Sequence, residues 1–266
     1  MRGVHMRKYV LLLCAVGALF AVAAVGIAGA AGGEGPVTVR VGEMELTADG
    51  GFAPKALSRT KQTPITIHAS GEVQMRDGGH PPAIREIIIE ADKAGEAHTK
   101  GIPVCKSSQL QATSTAVALK TCRSSLIGEG TATAQVAFAE QRPINVSSKL
   151  LLFNGPEKNG KRTWYAHAYF SNPISGAIVT TATISKIHHG RYGTLGVIKI
   201  PQLVGGAGSG ISFTLEIFKT VKVGNKTFNP ISATCPDGKL IVHGLGRFED
   251  GTQAETEIIR ACTPKG

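Results

Sequence analysis

The chain has 266 residues, 42% of them hydrophobic and 18% charged, which excludes both a disordered chain and a mini-protein that needs cross-links in place of a core. Its 33 Gly and 13 Pro argue against a helical bundle. The net charge is +10, but no aromatic-basic RNA-binding signature accompanies it, so nucleic acid is not an expected partner.

Arg2, Arg7 and Lys8 precede 25 residues, Tyr9 to Gly33, that carry no charge. This pattern predicts a signal peptide over residues 1–30, with Ala28-Gly29-Ala30 as the small-residue cleavage site and cleavage after Ala30 or Ala31. Removal would leave a net charge of +7. The alternative is an uncleaved membrane anchor, since about 20 apolar residues span a bilayer. Cys14 follows Leu13 inside the apolar run, which does not fit a lipidation site. Residues 31–60 read as a flexible lead-in and 61–266 as the folded domain.

Period-two alternation dominates the rest and predicts strands. Runs 64–73 and 83–91 come first. Glu86 and Glu90, four apart on a strand, share a face about 13 Å apart, too far for paired-carboxylate glycoside chemistry. Asp92, near Gly95, lacks the further acidic positions of a calcium loop. The Ala-, Gln- and Leu-rich stretch Ser107 to Lys120 predicts one helix, with Leu110, Thr113, Ala116 and Val117 on one face and Cys105 and Cys122 at its ends.

Strands follow at 131–138 and 146–153, and the polar stretch 154–161 is a candidate division between two halves. Asn145 and Asn225 lie in glycosylation sequons, relevant only in a host that glycosylates exported proteins. The strand 162–170 places Trp164, Ala166, Ala168 and Phe170 on one face, read as core, and Tyr165, His167 and Tyr169 on the other. Aromatic rings with polar tips suit a ligand groove, so these three are candidate binding residues. After a run at 177–187, His188, His189 and Arg191 join Lys186 in a basic turn that could meet an anionic envelope polymer.

Beyond the run 194–200, Gly205 to Gly210 is a glycine-rich stretch that leads into the strand Ile211 to Ile217, whereas a phosphate loop opens a helix. It reads as a connection. Ser209 lacks the glycine flanks of a nucleophile elbow. Pro236-Asp237-Gly238 and Asp250-Gly251 are turn signals that frame runs 239–248 and 252–261 in a three-strand meander.

Without Cys14 the exported chain keeps an even set, Cys105, Cys122, Cys235 and Cys262, which predicts two disulfides. Chain locality favours Cys105 with Cys122 and Cys235 with Cys262. In a flat meander the strands of the second pair would lie about 9–10 Å apart, beyond disulfide reach, so strong twist or a switch between sheets is required. No Cys-x-x-Cys pair and no His at ligand spacing support zinc, and no metal or cofactor is expected.

Many short strands, frequent turns and one helix predict a mainly β fold, an antiparallel β-sandwich, with a barrel as the alternative. Gly101-Ile-Pro103-Val-Cys105, Cys122 with Gly128 and Gly130, Phe153-Asn154-Gly155, Tyr192-Gly193, Gly205 to Ser209, Cys235-Pro-Asp237-Gly238, Asp250-Gly251-Thr252 and Arg260-Ala-Cys262 together resemble a group of uncharacterised exported proteins of actinobacterial type. The resemblance runs from about residue 64 to the end. It rests on turns and cysteines and implies compartment and architecture, with no catalytic residues.

The expected role is that of an exported, non-catalytic protein that binds an envelope component or supports the envelope. A carrier of a small apolar or carbohydrate ligand is the second reading, and it requires a concave pocket. An envelope hydrolase is the third, and it would need Ser209 to meet His167 or His243 in space.

Overall fold

The structure, a computed structural model, describes residues 34–172 and 175–266. The expected signal peptide lies outside the described residues. Strands succeed one another as β1 (Val37–Val41), β2 (Met44–Ala53), β3 (Ala56–Ser58), β4 (Thr63–Pro64), β5 (Thr66–Met75), β6 (Ile84–Asp92), β7 (Gly95–Ala97), β8 (Leu126–Phe138) and β9 (Gln141–Lys158). They continue as β10 (Lys161–Phe170), β11 (Gly176–His189), β12 (Tyr192–Lys199), β13 (Gly208–Ile217), β14 (Val221–Val223), β15 (Lys226–Phe228), β16 (Ile231–Ala233), β17 (Lys239–Phe248), β18 (Gln253–Ala261) and β19 (Thr263–Lys265). One α-helix, α1 (Thr115–Cys122), lies between Cys105 and Cys122.

Twelve strands form one antiparallel sheet in the order β1-β2-β5-β13-β8-β9-β10-β11-β12-β6-β17-β18. Its two edges converge. Val39 of β1 packs with Phe248 of β17 and Ala254 of β18. Farther along the seam the Arg260 guanidinium of β18 donates to the carbonyls of Gly50 and Gly35 and to Asp49. The facing apolar surfaces expected of a sandwich are therefore supplied by a single sheet curled almost shut, and side chains rather than a backbone ladder close it. Gly128 and Gly130 permit the curl on β8, because a Cβ at either would run into the backbone carbonyl of Glu216 or Thr214 on β13.

Side chains alternate across the sheet, so register decides which share the concave side. Trp164, Ala166 and Ala168 stand opposite Ala182, Thr180 and Ile178 there. The same parity puts Ile198, Ile87 and Gly246 in one concave row and Gly196, Ile89 and Gly244 in the next.

The two ends of the curl differ. At the capped end, the long connections 54–65, 93–125 and 218–238 bring Leu57, Ile65, Ile102, Val221, Ile231 and Ala233 onto Phe52, Leu152, Trp164, Ile184 and Ile217. Burying each large apolar side chain in this plug contributes about 1.5–3 kcal/mol. The turn end carries the connections 42–43, 76–83, 139–140, 200–207 and 249–252 and the described residues 171–172 and 175 between β10 and β11. There Leu203 packs on Ala134, Ala168 and Phe170.

Several sequence expectations change in this frame. Residues 37–53 are integral: β1 and β2 join the main sheet through β5. Stretch 154–161 is the end of β9 and its tight return into β10, so it separates nothing. The meander does not form. β17 and β18 are a hairpin, but β16 leaves the main sheet to pair with β4 and β7. Cys235, just past β16, then lies near Cys262, just past β18, with Cα atoms 6.1 Å apart. A switch between sheets thus meets the distance requirement.

The helix is shorter than the composition implied. Ala112 adopts a φ of 55°, which interrupts the stretch, and α1 restarts with Ser114 as its N-cap. The restart changes the buried face, so Leu110 and Ala118 are buried while Val117 is exposed.

Candidate functional site

Tyr165, His167 and Tyr169 lie on the convex face of β10, as alternation requires, but Tyr165 and His167 do not line a groove. Residues 105–122 fold across them, held at both ends by the Cys105–Cys122 disulfide. Leu110, Ala118 and the two cysteines pack on Leu151, Phe153 and Tyr165. The His167 ring is wholly buried, and its Nε2–H donates to the Thr113 carbonyl at 3.0 Å. Burial pushes the His167 pKa down and keeps the ring neutral, with the Thr113 carbonyl opposing that shift. Tyr169, farther along, hydrogen-bonds Ser175 through its hydroxyl. Sequence could not show this cover, since the covering segment lies more than 40 residues away.

The basic turn is engaged internally. Arg191 donates to Asp92 at 2.8 Å, to both carboxylate oxygens of Asp237 and to the Lys239 carbonyl. That contact holds the Asp237 carboxyl below its ordinary pKa. His189 lies 3.0 Å from Glu90, which also approaches His243 at 3.3 Å. Beside them the Tyr192 hydroxyl donates to Glu257 at 2.7 Å, and burial followed by that contact pushes its pKa up to about 12. His188 is exposed. Arg191 therefore ties connections together at the capped end, and His188 and His189 remain on the surface. Glu86 and Glu90 share the convex face, with Glu86 paired to Arg247.

The residues proposed for a hydrolase do not assemble. His167 on β10 and His243 on β17 are separated from β13 by intervening strands. Ser209 meets His80 instead, with Oγ 3.2 Å from Nε2, while His80 Nδ1 lies 2.8 Å from Gln135 Oε1. Ser209 is only 1% exposed and donates to the Pro81 carbonyl at 2.7 Å. The trio pins connection 76–83 onto β8 and β13. His80 had no sequence signal, because nothing local joins residues 129 positions apart.

A groove of about 640 Å³ crosses β2, β5 and β13 near the capped end. Its ionisable side chains are engaged with neighbours: Lys55 with Glu34, Arg260 with Asp49, Glu129 with Lys149 beyond the groove, and His68 lies 3.4 Å from Glu216.

The concave face is chemically distinct. Between the buried plug at the capped end and the clusters at the turn end lies a belt of Ile87, Ile89, Ile198, Phe213, Val242 and Ile258. All six are half-buried and belong to none of the buried clusters. In a filled core such residues would be fully buried. Small residues open the space around them: a Cβ placed on Gly244 meets no atom within 4 Å, and Gly71 makes room for the Phe213 ring. Alternation in run 211–217 marked one apolar face, and the consecutive Ile87-Ile88-Ile89 in run 83–91 marked only a strand. Neither pattern carried a sign that the face would be concave.

No group of His, Cys, Asp and Glu among the described residues is arranged to hold a metal ion, and no helix among them is long and apolar enough to cross a membrane. Comparison with family models, with curated proteins and with solved structures finds no match.

Proposed function

We propose that the protein is a non-catalytic carrier, exported to the cell envelope or beyond, that holds an elongated apolar ligand such as an acyl chain inside the curled sheet. The observation that carries this reading is the half-buried apolar belt on the concave face, with Gly244 beside it facing open space. Apolar side chains around an enclosed space lose the close contacts of a packed core, and an apolar ligand restores them. Closed antiparallel sheets are a recurrent solution for enclosing one small ligand. A purely structural envelope role accounts for the disulfides but gives no reason for an unfilled concave face.

The two disulfides are those of a chain folded in an oxidising compartment, which supports the exported reading.

The test is a titration with a fluorescent polyene fatty acid. Ile88 and Ile89 are adjacent, yet they point to opposite faces of β6. Ile89→Lys should weaken binding at least tenfold, whereas Ile88→Lys should leave it unchanged. Gly244→Phe, which fills space without adding charge, should also weaken it. Equal binding by all three variants, or no binding by the parent protein, would refute the carrier reading.

A further inference from the structure

Charge is distributed unequally between the two ends of the curl. At the capped end, the segment 34–36 and the connections 54–65, 93–104, 159–160, 190–191, 218–238 and 262–266 hold ten Lys and Arg residues against three carboxylates, Glu34, Glu96 and Asp237. At the turn end, the connections hold Arg76 against five carboxylates. Lys61, Lys93, Lys219, Lys222, Lys226 and Lys265 at the capped end are all exposed and make no ion pair among the described residues. This is a one-sided field on one end of the molecule.

The course of the chain provides a second observation. Lys55 reaches Glu34 and Arg260 reaches the Gly35 carbonyl, so the chain enters the fold at the capped end. In sequence, the 25-residue uncharged run ends at Gly33, one residue earlier. Whether that run is removed or retained, the basic end is the end nearest to it along the chain.

We propose that the capped end is a docking face for an anionic membrane surface, bound through phospholipid headgroups. Each Lys or Arg within a Debye length of such a surface adds an attraction that falls steeply with salt. Exposed lysines on several connections supply that attraction together, and the acidic turn end is repelled and points away from the bilayer. This proposal stands independently of the carrier reading, because it uses none of the concave residues.

The experiment is flotation of the chain from residue 34 onward, which contains all nineteen strands and both disulfides, with vesicles of phosphatidylcholine alone or with phosphatidylglycerol added. Binding should require phosphatidylglycerol and should fall on raising the salt. Lys219→Glu, Lys222→Glu and Lys226→Glu together should weaken it by about two orders of magnitude. A second triple variant on other connections, Lys61→Glu, Lys93→Glu and Lys265→Glu, should act alike, while Arg142→Glu with Lys199→Glu, at the turn end, should have little effect. Equal binding to neutral vesicles, or no loss in either capped-end variant, would overturn the proposal. So would binding to soluble polyphosphate with no binding to anionic vesicles, which would assign the patch to a dissolved polyanion.

Discussion

Replacing Arg260 by Met should loosen the seam that closes the sheet. The side chain is only 8% exposed and donates at 2.5 Å to Gly50 O, at 2.8 Å to Gly35 O and at 2.6 Å to Asp49. A hydrogen bond from a charged donor contributes roughly 1.5–3 kcal/mol, and water can reach some of the acceptors once the head group is gone. A net loss of about 3–5 kcal/mol is expected for the two carbonyl hydrogen bonds together, the exposed Asp49 being solvated again by water. Met keeps most of the aliphatic stem, so the loss reports the head group. With a urea slope of about 3 kcal/mol/M for a fold of this size, the midpoint should fall by more than about 1 M. Asp49→Asn, at a carboxylate that is 45% exposed, should cost no more than about 1 kcal/mol. Hydrogen exchange should speed up first in β1 and β18. A midpoint shift below about 0.3 M for Arg260→Met would show that the seam is held by something other than this guanidinium.

Gly130→Val should be more damaging than Gly51→Val, because the new side chain would strike the Thr214 carbonyl across the β8–β13 ladder whereas Gly51 faces open space; thermal denaturation of the two variants checks the order. Removing the first disulfide by Cys105→Ser with Cys122→Ser releases a cross-link 17 residues long, for an expected loss of about 3 kcal/mol in the chain-entropy model, read by urea denaturation. The same change should make residues 105–122 sensitive to protease and uncover Leu151 and Phe153. His167 is held neutral with a pKa below the ordinary 6.5, so the unfolded chain binds its proton more readily. Its contribution to stability is therefore fully present above about pH 6.5 and lost as the pH falls from there toward the folded-state value. His167→Leu should flatten the fall in stability between pH 7 and 5 relative to the parent, by up to about 1.4 kcal/mol per pH unit, and an unchanged slope would contradict the assignment.

The individual strands were legible because each carries its own period. Ile211, Phe213, Leu215 and Ile217 alternate with polar residues, and β13 contains them all. The local disulfide pairing was legible for the same reason, since short loops bring their ends together. Strand order was not, because β13 lies between β5 and β8 through contacts separated by about 70 residues and more. Val37 to Ala53 fell within the stretch 31–60 read as a lead-in, and Gly50 and Gly51 interrupt its side-chain pattern. In the fold these glycines sit in β2, where Gly50 supplies a carbonyl to Arg260.

The Tyr165–His167–Tyr169 face shows a further gap. A strand pattern says which side chains share a side, but the occupant of that side is decided by a distant segment. Polar-tipped residues expected at a ligand are largely under a helix, and the residues that line the concave space were read only as members of strands. Curvature decides between those outcomes, and it depends on glycines such as Gly128 and Gly130 whose role appears only where β13 approaches.

The central claim is an occupied interior, and native mass spectrometry of the protein recovered from an exporting host tests it most directly. The account predicts an apolar adduct at one per chain that is lost on denaturation, and uptake of one fatty acid by the stripped protein. A bare monomer that also refuses every acyl chain offered would contradict it.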